Sequence, residues 1–399
     1  MSLPRPRRRG SRPGRPSNRC GDRRMTRVLF VQRQPCIKTW KYAVGLRAAI
    51  PGLVLGFAYQ GKTLSGLYGG GDELFDEWFE LPVEPDDRLA EVIADFAPDL
   101  IHNHNLPDVL TVACQRVLGA DRRVPVIHDV HDFQSLRKTP YEDGFPDPED
   151  PIAAERAAVE NSDALVTVSD RLMEEIRARY AVPPINVVFP NYALAQHLPA
   201  VEELPAVPQR LVHSAERPLR VVYQGTVSVA HGHYDLREIF AAIAGTGAEL
   251  HVFPGRGPMP EYLELAERFP TLTIHQTLPS TELLATLPRF DVGWAGFNDT
   301  LNDAHLATVL PNKGFEYVGC GLPILTFEHD ALARWVRTEG IGVVAGSLAE
   351  LPRVLTQTDF APMARRTREI RDSVTIEGAV GGVIEQVYRP LLAAGVATA

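Results

Sequence analysis

The sequence predicts an α/β protein with two doubly wound parallel-sheet domains that face each other across a central cleft. Short apolar runs alternate with amphipathic segments of helical period along nearly the whole chain. The apolar runs are almost continuously hydrophobic, as strands buried on both faces of a parallel sheet are. Because 399 residues exceed the size of one ordinary core, the alternation predicts two domains.

The first domain is predicted over residues 25–195. Its predicted strands are RVLFV, LVLGFAYQ, PDLIHNHN, VPVIHDVHDF, DALVTVS and INVVFPN. Its predicted helices are TWKYAVGLRAAI, DDRLAEVIADFA, LPDVLTVACQRVLG, PIAAERAAVENS and DRLMEEIRARY. The glycine-rich stretch GLYGGGDE is typical of a flexible loop.

The second domain is predicted over residues 196–375. A Pro-, Ala- and Glu-rich linker is predicted at 193–218, where the two domains join. Its predicted strands are LRVVYQG, AELHVFPG, LTIHQT, DVGWAGF, PILTF and GVVAG. Its predicted helices are DLREIFAAIAG, EYLELAERF, TELLATLPRF, NKGFEYVG, DALARWVRTEG and LAELPRVL. A final helix over 376–399 is expected to pack back on the first domain.

Composition narrows the classes of partner. Residues 1–24 contain nine arginines and one aspartate and almost no apolar residues, which predicts a disordered tail, native or appended before a start at Met25. A nucleic-acid or membrane arm is an open alternative for it. The formal net charge of the whole chain is −9, so the body is acidic, which argues against a general nucleic-acid partner.

The four cysteines contain no CxxC pair, which favours a reducing, cytoplasmic compartment and argues against a zinc ribbon. No apolar run approaches the roughly 18–20 residues of a transmembrane segment. Peripheral membrane contact stays open.

Polar side chains cluster directly after the predicted strands. In open α/β sheets, ligands bind at the carboxyl ends of the strands, so these clusters should line the cleft. The clusters are His102, His104 and Asn105; His128, Asp129, His131 and Asp132; Gly225 and Thr226; and Asn298 and Asp299.

The stretch LPNKGFEYVGCGLP at 310–323 predicts a short helix that begins with a cation, Lys313. A lysine at a helix amino terminus opposes the helix dipole unless an anion lies there. A phosphate or diphosphate suits this position. The structural alternative is a surface ion pair with Glu316, worth about 0.2–0.5 kcal/mol.

This stretch resembles the donor-binding helix of GT-B glycosyltransferases, in particular the retaining glycosyltransferase family 4. DLIHNHNLPD, VPVIHDVHD, SDALVTVSD and VVFPN resemble the N-terminal domain of that family, in the expected order. The resemblance covers about residues 27–350 and implies two Rossmann-like domains, with a nucleotide-sugar donor bound by the C-terminal one. It implies that Lys313 meets the donor diphosphate and that Glu316 accepts hydrogen bonds from the ribose, within a donor-binding set that also includes Pro311, Asn312 and Tyr317.

Gly225 and Thr226 join the expected donor site, because a glycine after a strand lets a phosphate approach the backbone. Two positions depart from the family. Its arginine or lysine a few residues after this glycine is replaced by Ala230 and His231, so His231 or His233 is the expected substitute. Its first glutamate is replaced by Thr308, so the sugar contacts do not carry over.

In the N-terminal domain, the resemblance implies that His104 approaches the donor sugar. Metal binding by His102 and His104, or helix capping by His104, are the alternatives. Asp132 is the other expected catalytic residue, positioning an acceptor hydroxyl.

Acceptor binding is expected from Lys38, Asn105 and His131. Lys38 belongs to a basic segment after the first strand, together with Arg33 and Lys41, and this segment suggests an anionic acceptor.

These expectations combine into a metal-independent, retaining enzyme without a cofactor that transfers a sugar from a nucleoside-diphosphate donor. The acceptor class, whether natural product, glycolipid or polysaccharide, stays open. Two alternatives also stay open: another GT-B reaction such as nucleotide-sugar epimerisation, and an inactive nucleotide-sugar-binding protein, which Ala230 and Thr308 would suit.

Overall fold

The computed structural model describes residues 25–119, 123–138, 148–230 and 232–397. The predicted tail at 1–24 and the predicted donor residue His231 lie outside the described residues. Within them, two separate parallel sheets of seven and six strands are each flanked by helices. This is the predicted arrangement of two doubly wound domains.

The N-terminal sheet has the strand order β3-β2-β1-β4-β5-β6-β7, and all of its pairings are parallel. Its strands are β1 Arg27–Val31, β2 Val54–Tyr59, β3 Glu77–Glu80, β4 Leu100–His104, β5 Val126–Val130, β6 Ala164–Thr167 and β7 Ile185–Val188. Its helices are α1 Ile37–Ala49, α2 Leu64–Tyr68, α3 Asp86–Phe96, α4 Val109–Leu118, α5 Pro151–Glu160 and α6 Asp170–Arg177.

The C-terminal sheet has the order β10-β9-β8-β11-β12-β13, again entirely parallel. Its strands are β8 Arg220–Gly225, β9 Glu249–Pro254, β10 Leu272–Ile274, β11 Val292–Trp294, β12 Ile324–Phe327 and β13 Gly342–Ala345. Its helices are α7 Arg237–Ala244, α8 Pro260–Arg268, α9 Ser280–Thr286, α10 Asp303–Leu306, α11 Asn312–Gly319, α12 Asp330–Glu339, α13 Leu351–Gln357 and α14 Ala361–Glu369.

The chain ends with α15 Ile376–Val383, a π-helical segment Ile384–Tyr388 and α16 Arg389–Ala397. The apolar side chains of α15 and the π-helical segment belong to the same buried cluster as β1, β2 and α1 of the N-terminal domain. The helices pack tightly at Gly45 of α1, because a Cβ there would lie 2.4 Å from Cγ2 of Ile376. The chain therefore returns to its first domain after completing the second.

Several elements differ from the sequence prediction. Two short helices were not predicted: α10, and α2, which ends inside the stretch GLYGGGDE that was predicted as a loop. The edge strand β3 was not predicted, because its sequence EWFE is short, acidic at both ends and only half-buried. Helix α14 was also missed, since its exposed face is rich in arginine. Helix α1 begins at Ile37, two residues earlier than predicted, which places Lys38 on a buried helix rather than in a loop.

None of the helices among the described residues combines the length and the hydrophobicity that crossing a membrane requires.

Replacing Gly45 with valine is expected to lower the free energy of unfolding by about 1–3 kcal/mol, because the added isopropyl group overpacks the contact with Ile376 and Val380. Ala48, exposed on the same helix, supplies the matched control. A48V should change stability by less than about 0.5 kcal/mol. Urea unfolding of the three proteins measures the difference, and equal stabilities of G45V and A48V would contradict the packing described for α15.

Candidate functional site

A cavity of about 450 Å³ lies where the carboxyl ends of strands from both sheets face each other. Aromatic and aliphatic side chains form part of its wall, including Phe253, Leu278 and Phe297. Eight residues singled out from the sequence also line it: His131, Asp132, Gly225, Thr226, Pro311, Asn312, Lys313 and Glu316. The cleft therefore brings together residues that are up to 185 positions apart in the chain.

Lys313 lies in the first turn of α11, and the residue is only 9% exposed. Its Nζ lies 4.1 Å from the ring centre of Tyr223 and 5.4 Å from that of Phe297. Among the described residues it has no hydrogen-bond partner. Burial lowers the pKa of Lys313 to about 7, although the nearby Glu316 carboxylate opposes that shift. An ammonium group held this way at a helix amino terminus is suited to an anion.

Gly225 ends strand β8 directly beside this amine. Its φ of +125° is a backbone conformation that residues other than glycine rarely adopt. A Cβ at this position would lie 3.6 Å from Nζ of Lys313. The bare backbone therefore leaves the space next to the lysine open to a ligand.

Glu316 lies one turn further along α11, and Gln224 holds its side chain. Nε2 of Gln224 donates to Oε2 of Glu316 over 2.6 Å. Oε1 of Gln224 is buried, and no described residue hydrogen-bonds to it. The pair thus presents fixed acceptor oxygens at the pocket wall, which suits hydroxyl or N–H groups of a ligand.

Tyr317 does not belong to this site, so its assignment to donor binding is corrected. Its side chain is completely buried in the core of the C-terminal domain, and its hydroxyl accepts from the backbone N–H of Gln224 over 3.0 Å. A Cβ on Gly293 would lie 2.3 Å from its ring. Tyr317 is therefore a packing residue that fixes the distance between α11 and strands β8 and β11.

His131 and Asp132 form the N-terminal side of the pocket, on the loop after β5. Asn105 holds that loop, because its Oδ1 accepts from the backbone N–H of His131 over 2.9 Å and its Nδ2 donates to the carbonyl of Asp132. Asn105 is 1% exposed and does not line the pocket. Its assignment to acceptor binding is corrected to positioning of the two residues that do.

Asp132 also joins the two domains. Oδ1 of Asp132 lies 3.2 Å from Nε2 of His305 in the C-terminal domain, and Arg137 is 3.9 Å from its other oxygen. Burial opposes ionisation of Asp132, but His305, His131 and Arg137 together lower its pKa below the usual range. Asp132 is therefore a carboxylate, and it contacts His305 across the two domains.

His104 and Lys38 lie outside the pocket lining, in a buried cluster around Asp129. Nζ of Lys38 donates to Asp129 over 2.6 Å, and His102 and His104 lie 3.4 and 4.0 Å from its other oxygen. Burial lowers the pKa of both histidines. In this structure His131 replaces His104 as the N-terminal histidine of the pocket, and the expected acceptor contact of Lys38 is corrected to an ion pair.

The ligating atoms of His102, His104 and Asp129 lie within 4.8 Å of one another. His102 and His104 share one side of β4, as their spacing of two residues predicts. A metal ion there would have to share Asp129 with the ammonium of Lys38. The charge balance of the cluster is already met by that ion pair.

His233 does not supply the missing positive charge, since burial, reinforced by His305 and Arg137, lowers its pKa to about 4. Thr308 is buried and bonds through Oγ1 to the carbonyl of His305 over 2.7 Å, so it is structural. Sequence reasoning missed Gln224, Asn191 and His305. Gln224 was signalled only by its place next to Gly225, whereas His305 reaches Asp132 through tertiary folding alone.

Replacing Lys313 with methionine is expected to stabilise the ligand-free protein, because a buried amine is lost. The lowered pKa means that the unfolded chain binds more protons than the folded one between about pH 7 and 10.5. The gain should therefore be largest at pH 7 and shrink by about 1–3 kcal/mol at pH 9. Urea unfolding at both pH values measures it, with the exposed Lys62→Met as control. A gain that is independent of pH would contradict the burial of a titrating amine.

Three solved structures show how widely this architecture is shared. Sucrose-phosphate synthase from Thermosynechococcus elongatus has a TM-score of 0.66 at 15% identity, covering 92% of this chain and 100% of that one. HepE of Anabaena in complex with UDP has a TM-score of 0.64 at 12% identity, covering 91% of this chain and 100% of that one. The lipopolysaccharide outer core galactosyltransferase WaaB has a TM-score of 0.61 at 10% identity, covering 91% of this chain and 100% of that one. No curated protein sequence is significantly similar to the chain.

A family assignment also covers the N-terminal half. Residues 5–192 match the family described as Glycosyl transferase 4-like domain. This range contains the whole N-terminal sheet and the loop that carries His131 and Asp132. The two facing parallel sheets and the similarity to these solved structures show the GT-B fold, and the match of the N-terminal half to a glycosyl transferase 4-like domain supports a glycosyltransferase.

Proposed function

We propose that this glycosyltransferase uses a nucleoside-diphosphate sugar as donor and binds it in the interdomain cavity. The observation that carries the proposal is the buried Nζ of Lys313, which faces open space beside Gly225 and lacks a hydrogen-bond partner among the described residues. A diphosphate would supply that partner. It would also meet the unpaired N–H groups of the first turn of α11.

The other donor contacts follow from this placement. Glu316, held by Gln224, lies one helical turn from Lys313 and suits the hydroxyls of a ribose. The apolar wall near Phe253 and Leu278 suits the flat base of a nucleotide. The UDP bound to HepE, a structure of the same fold, is consistent with this class of ligand. The sugar would then extend toward His131 and Asp132.

Catalysis in this arrangement relies on stabilising the leaving diphosphate. Negative charge develops on the leaving diphosphate as the sugar–phosphate bond breaks. The positive charge of Lys313 and of the amino end of α11 would then attract it most strongly. These groups supply the role that a divalent cation plays in other transferases, so we infer a metal-independent reaction. On the acceptor side, the ionised Asp132 would orient an acceptor hydroxyl, and contact between the domains would exclude water.

The proposal predicts release of a nucleoside diphosphate when the protein meets its donor. UDP-, GDP- and TDP-sugars are incubated with the protein, and the released diphosphate is measured by a coupled assay. K313A should weaken binding of the best nucleoside diphosphate more than tenfold, because the buried cation is lost. K62A, which removes an exposed lysine, should bind normally.

EDTA should leave the release rate unchanged. Binding of a donor without any release would contradict sugar transfer, and unchanged binding by K313A would contradict the placement of the diphosphate.

We further infer, from the resemblance of the donor-binding helix to retaining enzymes, that the anomeric configuration of the sugar is preserved. Proton NMR of the earliest product, formed from an α-linked donor, should show an α-linked sugar or α-hemiacetal. A β-linked product would instead indicate inversion, which requires a general base, and Asp132 is the carboxylate placed to act as one.

A further inference from the structure

Helix α1 of the N-terminal domain contacts the start of α11 in the C-terminal domain through Lys41. Its Nζ lies 2.8 Å from Oδ1 of Asn312, the first residue of α11, and 3.3 Å from the carbonyl of Asn191 after β7. Lys41 is only 2% exposed. We propose that Lys41 is a positioning residue for the donor diphosphate, supplying the second cation of the site from the opposite domain. This inference rests on the proposed function.

The first step of the argument concerns the orientation of Asn312. A lysine ammonium only donates hydrogen bonds, so the side chain of Asn312 must turn its oxygen toward Lys41. Its NH₂ group is then directed elsewhere, and Asn312 lines the cavity next to Lys313. Lys41 thereby fixes the orientation of the Asn312 amide, so that its NH₂ group is the part that can donate to a phosphate oxygen.

The second step concerns charge. Two lysines, Lys41 and Lys313, and one carboxylate, Glu316, surround the first turn of α11, whose dipole is itself positive at that end. Burial lowers the pKa of Lys41 to about 8, with Glu316 opposing the shift, so the amine is largely protonated at neutral pH. The site therefore has an excess of positive charge that a bound anion would neutralise.

The third step concerns the described residues that follow Gly225. The segment after Gly225 places Ala230 on the surface, and the neighbouring His233 is neutral at pH 7. The second cation at the start of α11 comes instead from α1, in the other domain. Contact between the domains is then required to complete the phosphate site, which couples donor binding to closure of the cleft.

The experiment compares the wild-type protein with K41M, K41R, K313M and the surface control K62M. Calorimetry measures their affinities for whichever of UDP, GDP and TDP binds the wild type most tightly, and for the matching nucleoside. K41M should weaken diphosphate binding at least tenfold and change nucleoside binding less than twofold. K41R, which keeps the charge, should recover most of the affinity, and K62M should match the wild type.

Two results would overturn the role of Lys41. Diphosphate affinity of K41M equal to that of the wild type, while K313M loses it, would refute Lys41 and leave the proposed function intact. Equal losses for diphosphate and nucleoside in K41M would show a purely structural role. If neither the wild type nor K313M binds any of the three diphosphates, the proposed function fails first and this inference falls with it.

A second variant covers the case in which K41M does not fold. Asn312→Asp keeps an acceptor oxygen for Lys41 but replaces the NH₂ donor with a negatively charged oxygen. Its melting temperature should stay near that of the wild type, while diphosphate affinity falls at least tenfold. Wild-type affinity in N312D would overturn the orientation argued for Asn312, whatever the behaviour of K41M.

Discussion

A buried ammonium group at the amino end of α11 is the constraint around which the site is arranged. Lys313 lies under Gly225, against the rings of Tyr223 and Phe297, and no described residue hydrogen-bonds to its Nζ. A buried ammonium group destabilises a folded protein unless a ligand replaces the hydrogen bonds and charge stabilisation that water provides to an exposed one. Under the proposed function, the same burial that costs stability would strengthen the attraction of Lys313 to a diphosphate.

The neighbouring residues keep that amine in place without neutralising it. Tyr317 anchors α11 to the backbone of β8, and Gln224 holds the carboxylate of Glu316. Glu316 is close enough to raise the pKa of Lys313 but does not form an ion pair with it. The positive charge therefore stays available, whereas a direct salt bridge would have removed it.

Polar contacts join the two domains. Asp132 meets His305, Lys138 donates its backbone N–H to Asn302 over 2.8 Å, and Lys41 meets Asn312. Each of these contacts can separate without exposing a large apolar surface, so their loss is compatible with opening of the cleft. The large hydrophobic clusters lie mainly within the domains, apart from the return of α15 onto the first and from Ala193, which packs among residues of the C-terminal domain. Some of the contacts between the domains thus involve groups that also shape the ligand site.

The sequence by itself determined the two α/β domains, the strand ends that carry polar side chains, and the central position of Lys313. Those features follow from local periodicity and from the positions of strand ends. Only the tertiary structure decided which polar residues face the cavity. His104 ends β4 and His131 follows β5, but His104 packs inward around Asp129, whereas Asn105 holds the loop of His131 at the cleft. That choice depends on contacts between residues distant in the chain, which no local pattern records.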